Sequence, residues 1–155
     1  MVNAPTANAK ADVQRFAGSI ARARDLSARQ WAALAHAACI LSVASVAVAI
    51  APFRLAVLFG SVPLGSTSRP NSLANILWAV GAASRRLPLR TKCIEQGIAV
   101  QRLLRQSGID ARLHYGARHE PVEQQLQAHV WVTVNDQPVI GGECAGDYAE
   151  IASYP

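Results

Sequence analysis

Two side chains in this sequence could do covalent chemistry together. Cys93 opens the stretch "TKCIEQGIAVQRLLRQSG" and His129 stands in "LQAHVWVTV". A thiol and an imidazole held together perform acyl transfer: the thiolate attacks a carbonyl and the imidazole passes the proton to the leaving group. The setting of Cys93 suits a nucleophile. A thiol in the first turn of a helix faces unpaired N–H groups and the positive end of the helix dipole. Arg90 and Lys92 add positive charge beside it. Each effect favours the thiolate, the reactive form. A cysteine alone is more often a small packing residue, so the reading depends on the base.

The strand pattern around His129 supplies it. Side chains alternate along a strand, so His129, Trp131 and Thr133 share one face and Val130, Val132 and Val134 share the other. The valines make the better core face, which leaves His129 on the opposite face, where it could meet a helix end. An acid to orient the imidazole is then sought across the hairpin. With a loop of Asn135, Asp136 and Gln137, His129 falls opposite Glu143; a two-residue loop of Asp136 and Gln137 puts Cys144 opposite and Glu143 beside it. Glu143 is the preferred third member. Asp136 sits at the turn, about 23 Å of extended strand from His129. Asp147 is a further alternative if the chain folds back.

These residues need elements to hold them. Val13, Phe16, Ile20 and Ala21 have helical spacing over about residues 10–25, and Ser27 suits the N-cap of a long Ala-rich helix. "FRLAVLFG" reads as a short helix closed by Gly60, and "SVPLGSTSRPN" as a loop and domain boundary. A helix over about 72–86, with Leu73, Ile76, Leu77, Val80 and Ala83 inward, ends before Pro88. The Cys93 helix follows, with Thr91 as cap, Ile94, Ile98, Leu103 and Leu104 inward and Gly108 as its stop. "IDARLHYGA" reads as a strand, "RHEPVEQQ" as a polar loop, "LQAHVWVTV" as a strand, "NDQP" as a hairpin turn and "PVIGGE" as the return strand. "DYAEIASYP" closes the chain as a short strand or tail.

Composition narrows the field. The 155 residues carry a net charge of +5 and are 51% hydrophobic, the profile of a globular domain. The basic residues are scattered and show no aromatic interleaving, so no nucleic-acid partner is expected. Cys39, Cys93 and Cys144 form no CxxC and are odd in number, which points to a reducing, cytoplasmic setting without disulfides. His114, His119, His129 and Cys144 have no metal-ligand spacing, and neither a metal nor a cofactor is expected. Residues 31–53 are uncharged and reach the roughly 20 residues a bilayer needs. Their Ala-rich character, His36, Ser42, Ser45 and Pro52 favour a buried helix, with membrane contact as the alternative.

The stretches "RTKCIEQGIAVQRLLRQSGIDARLHYGAR", "LQAHVWVTVNDQPVIGGE" and "YAEIASYP" together resemble the lasso-peptide biosynthesis B proteins, in particular the peptidase half of the split form. The resemblance covers about residues 72–155. It implies an α+β fold with a papain/transglutaminase-like core at 69–155, a helix with an N-terminal Cys packed on a small antiparallel sheet, preceded by a helical, hydrophobic region at 1–68. It implies a cysteine peptidase that removes the leader from a ribosomally made precursor peptide, with Cys93 and His129 as catalytic residues. The family's usual third residue is an Asp near Gly141; this sequence has none there, and Glu143 is the substitute. The implied partners are the precursor, a separate leader-binding (RiPP recognition) protein and a lasso cyclase, through which any nucleotide dependence would enter. Two rival readings are another acyl-transfer enzyme, such as an amidase or ligase, and a non-catalytic, membrane-associated scaffold of a peptide-modifying complex.

Overall fold

The computed structural model of the chain describes residues 26–65, 71–88, 91–120 and 125–155. The chain divides into two compact units, Met1–Ala32 and Ala33–Pro155. In the first, Ser27 and Gln30 cap the start of helix α1 (Ala28–Ile50). The Gln30 N–H donates to Ser27 Oγ at 3.3 Å and the Ser27 N–H donates to Gln30 Oε1 at 2.9 Å, a reciprocal capping box. The helix expected over about 10–25 lies outside the described residues.

The second unit is α+β: helices on a four-stranded antiparallel sheet in the order β3-β2-β1-β4. Helix α1 enters it with Ala33, Ala37, Ile40, Leu41 and Ala44 buried in the shared core. Its opposite side leaves Val43, Val46 and Ile50 exposed. By length and composition α1 could cross a membrane. Ser42 and Ser45 satisfy their hydroxyls inside the helix, donating to the carbonyls of Ala38 and Leu41 at 2.8 Å each. Pro52 breaks the run, and α2 (Phe53–Gly60) follows. Residues 61–65 are irregular, as expected of the "SVPLGSTSRPN" loop; 66–70 lie outside the described residues.

Helix α3 (Leu73–Ser84) starts where Ser72 Oγ accepts the Asn75 N–H. Helix α4 (Cys93–Gln106) is the centre of the unit. Ile98, Val100 and Leu104 on it are fully buried, and each such side chain contributes about 1.5–3 kcal/mol over an exposed one. Its N-cap is Lys92, not Thr91: the half-turn is closed by Glu95, whose carboxylate accepts the Lys92 N–H at 2.8 Å. A longer acidic side chain at the third helical position reaches back where a threonine would otherwise serve. Gly108, at φ +79°, ends the helix.

Two of the arginines bond within the fold. Arg102 donates to the Phe59 carbonyl at 2.6 Å and lies over the Phe59 ring; Arg105 donates to the Val62 carbonyl at 2.6 Å and pairs with Asp110 at 2.7 Å. These bonds tie the end of α2 and the following loop to α4.

Strands β1 (Ala111–Glu120) and β2 (Gln125–Val134) form the longest ladder, with His114 opposite Trp131 and Gly116 opposite His129. They run further than sequence suggests. Arg118 and His119, expected in a polar loop, pair with Gln127 and Leu126. The pairing is held by the Arg118 guanidinium on Gln127 Oε1 at 2.9 and 3.1 Å. Asn135 and Asp136 form a two-residue turn, both at positive φ, the mirror-image type whose twist matches a hairpin. The return strand β3 (Gln137–Ile140) is shorter than expected. Gly141 turns left-handed at φ +71° and the chain enters a 3-10 helix, Gly142–Asp147, so Glu143 does not continue the ladder. Strand β4 (Ala149–Tyr154) pairs with β1 on its other edge.

Candidate active site

Helix α4 sits on the valine face of the sheet. A Cβ at Gly97 would lie 2.8 Å from Val130 Cγ1, with Leu113 and Val132 next. No larger residue fits without moving the strand, so Gly97 sets how closely α4 approaches β2. Cys93 is one helical turn before Gly97 and therefore on the same side of the helix. It is the first residue of α4 and is exposed. As a first helical residue its N–H has no acceptor within the helix. Cys39 and Cys144 are exposed as well, and none of the three is in a disulfide.

His129 is on the other face of the sheet, as the alternation predicts. Its half-buried ring lies among aromatic side chains: 6.2 Å from the Trp131 ring, nearly parallel, and 5.0 Å from Tyr148, tilted. Trp131 is buried and stacks on His114 at 5.4 Å and 6°. His114 in turn meets Thr133 Oγ1 at 2.9 Å and Glu150 at 3.1 Å. Arg118 lies 5.0 Å over Tyr148. Gly116, opposite His129, leaves room for the ring edge of Trp131 and the Tyr148 side chain, which a Cβ there would meet at 2.9–3.0 Å.

The imidazole is anchored at the point where β3 ends. His129 Nε2 is 2.7 Å from the Gly141 carbonyl oxygen. The other sequence-nominated residues are elsewhere. Glu143 is exposed in the 3-10 helix, and among the described residues no hydrogen bond joins it to His129 or Cys93. Asp136 is at the hairpin tip, and Asp147 pairs with Arg118 at 3.9 Å. Among the described residues no hydrogen bond links Cys93 to His129, and α4 packs on the Val130 face of β2, opposite the face that carries His129. No group of His, Cys, Asp and Glu among the described residues could hold a metal ion.

Tyr148, Gly97 and the Gly141 carbonyl are the parts of this site that sequence reading missed. For the Gly141 reversal the visible signal was the "GG" after "PVI", a mark of chain reversal that could have argued against extending β3 to Glu143.

A helix with Cys at its N-terminus, packed on an antiparallel sheet that carries a histidine, is the arrangement of thiol acyl-transfer enzymes. The family comparison agrees. Residues 37–153 match the transglutaminase-like superfamily, and the chain belongs to it. That superfamily comprises transglutaminases and cysteine peptidases, which suggests acyl transfer or peptidase chemistry for this domain. No curated protein and no solved structure matches the chain.

Proposed function

We propose that this protein is a cysteine peptidase that cleaves the leader from a ribosomally made lasso-peptide precursor in the cytoplasm. The observation that carries the reading is the exposed Cys93 thiol at the first residue of α4, in a chain that matches the transglutaminase-like superfamily over residues 37–153. The lasso-precursor specificity rests on the sequence resemblance described above.

The chemistry follows from these groups. Cys93 Sγ attacks the carbonyl carbon of the last leader residue, and its proton passes to His129. The Cys93 N–H donates to the oxyanion of the tetrahedral intermediate; one such donor is worth about 10²–10³ in rate in enzymes of this type. The C–N bond breaks, and His129 gives the proton to the leaving core amine. Water then attacks the thioester with His129 as base, releasing the leader carboxylate and restoring the thiol.

The experiment is incubation of the full chain with a lasso precursor and a leader-binding protein, read by mass spectrometry. The reading requires the leader and the free core as products, and neither with Cys93→Ala. Cleavage retained by Cys93→Ala would sink the nucleophile assignment. Transfer of the leader acyl group to an added amine would move the protein to the transglutaminase side of its superfamily.

A further inference from the structure

We propose that the backbone carbonyl of Gly141, rather than a carboxylate, orients the imidazole of His129 and fixes its tautomer. The proposal rests on the reading of His129 as the base of the site. A carbonyl oxygen can only accept a hydrogen bond. At 2.7 Å from it, His129 Nε2 must therefore carry the proton. In the neutral ring Nδ1 is then left as a lone pair, the one nitrogen free to take a proton and return it. Nε2–H stays on the Gly141 oxygen through both transfers, so the proton count closes on Nδ1 alone.

Three features build this anchor. The left-handed backbone at Gly141, φ +71°, ends β3 and aims its carbonyl back toward β2. A Cβ at that position would lie 2.6 Å from the Val130 carbonyl oxygen and 3.4 Å from His129 Nε2. The position therefore excludes a side chain, a carboxylate included. Trp131 and Tyr148 lie against the ring and limit its rotation. Of the carboxylates nearest in sequence, Asp147 pairs with Arg118 at 3.9 Å and Glu143 is exposed, with no hydrogen bond to the ring among the described residues. Gly141 is thus a positioning residue that acts through its main chain.

The test is the tautomer of His129, read by ¹⁵N NMR on the full chain labelled at histidine nitrogens. The signal is assigned by its loss in His129→Gln. On the neutral ring the expected result is a protonated Nε2 and an unprotonated Nδ1, with the same tautomer in Glu143→Gln and in Asp147→Asn. A protonated Nδ1, or an averaged mixture of tautomers, overturns the proposal. So does a tautomer that scrambles when either carboxylate is removed, since an acid would then be the anchor. The measurement needs no substrate, so it stands apart from the cleavage assay. A chain with the expected tautomer and no peptidase activity would refute the function and leave the anchor in place.

Discussion

The two faces of the β1–β2 ladder are built from alternate residues of the same strands, yet they do different work. One face carries Leu113, Val130 and Val132, all buried beneath α4. The other carries His114, Gly116, His129 and Trp131, where rings stack and each imidazole has a polar partner. The first face fixes distance: it decides how near α4, and hence Cys93, comes to β2. The second fixes orientation: it decides where the His129 nitrogens point. The proposed reaction needs both, because neither a helix end nor a partly exposed ring holds itself.

The comparison can be broken by substitutions that separate distance from orientation. Cys93→Ala should have the largest effect, lowering precursor cleavage by about 10³-fold or more while leaving the melting temperature unchanged. Activity and melting measured on the same sample check both halves of that statement. His129→Ala should come next, with a loss of about 10²–10⁴ in turnover and a small change in stability. Gly97→Ala attacks the other face. Its new methyl must displace Val130, and overpacking of this kind costs about 1–3 kcal/mol. Denaturant unfolding should show that loss, together with slower cleavage as α4 lifts from β2. Val132→Ala should be milder for chemistry. It removes buried methyl groups from the core, costs about 1–2 kcal/mol by denaturant unfolding, and leaves the turnover of the folded protein nearly intact. Equal effects of Val132→Ala and His129→Ala on turnover would erase the distinction between the faces.

The two faces also differ in how far sequence could reveal them. The valine face, the helix α4 and a hairpin turn within "NDQP" follow from local rules of alternation, apolar spacing and turn chemistry, and the structure contains each, although Gln137, expected in the loop, already pairs with Val134. The location of His129 opposite the core was legible for the same reason. What escaped depends on contacts distant in sequence or on main-chain atoms. The Gly141 carbonyl has no side chain to announce it, and the end of β3 is set by one left-handed residue. The expectation that Glu143 continues the strand extrapolated a register that Gly141 stops. The Glu95 cap was missed because Thr91 and Glu95 both carry capping chemistry, and only the geometry of the turn chooses between them. Strands β1 and β2 outran their predicted ends because Arg118 and Gln127, polar residues by composition, satisfy each other across the ladder.

Helix α1 makes a parallel point. Its uncharged run suits a bilayer by length, yet one side of it contributes Ala37, Ile40, Leu41 and Ala44 to the same core as Ile98 and Leu104. Apolar length alone does not separate those two environments, while the pattern of burial along the helix shows which side the protein already uses.

The claim at the centre of this account is that Cys93 is set apart by His129 and its helix, since exposure does not distinguish it: Cys39, Cys93 and Cys144 are all exposed. Alkylation of the folded chain by iodoacetamide, followed by peptide mass mapping at each cysteine over time, tests this directly. The account predicts that Cys93 reacts about tenfold or more faster than the other two, as an activated thiol does, and that the advantage falls sharply in His129→Ala. Equal rates at all three cysteines, or a Cys93 rate indifferent to His129, would contradict it.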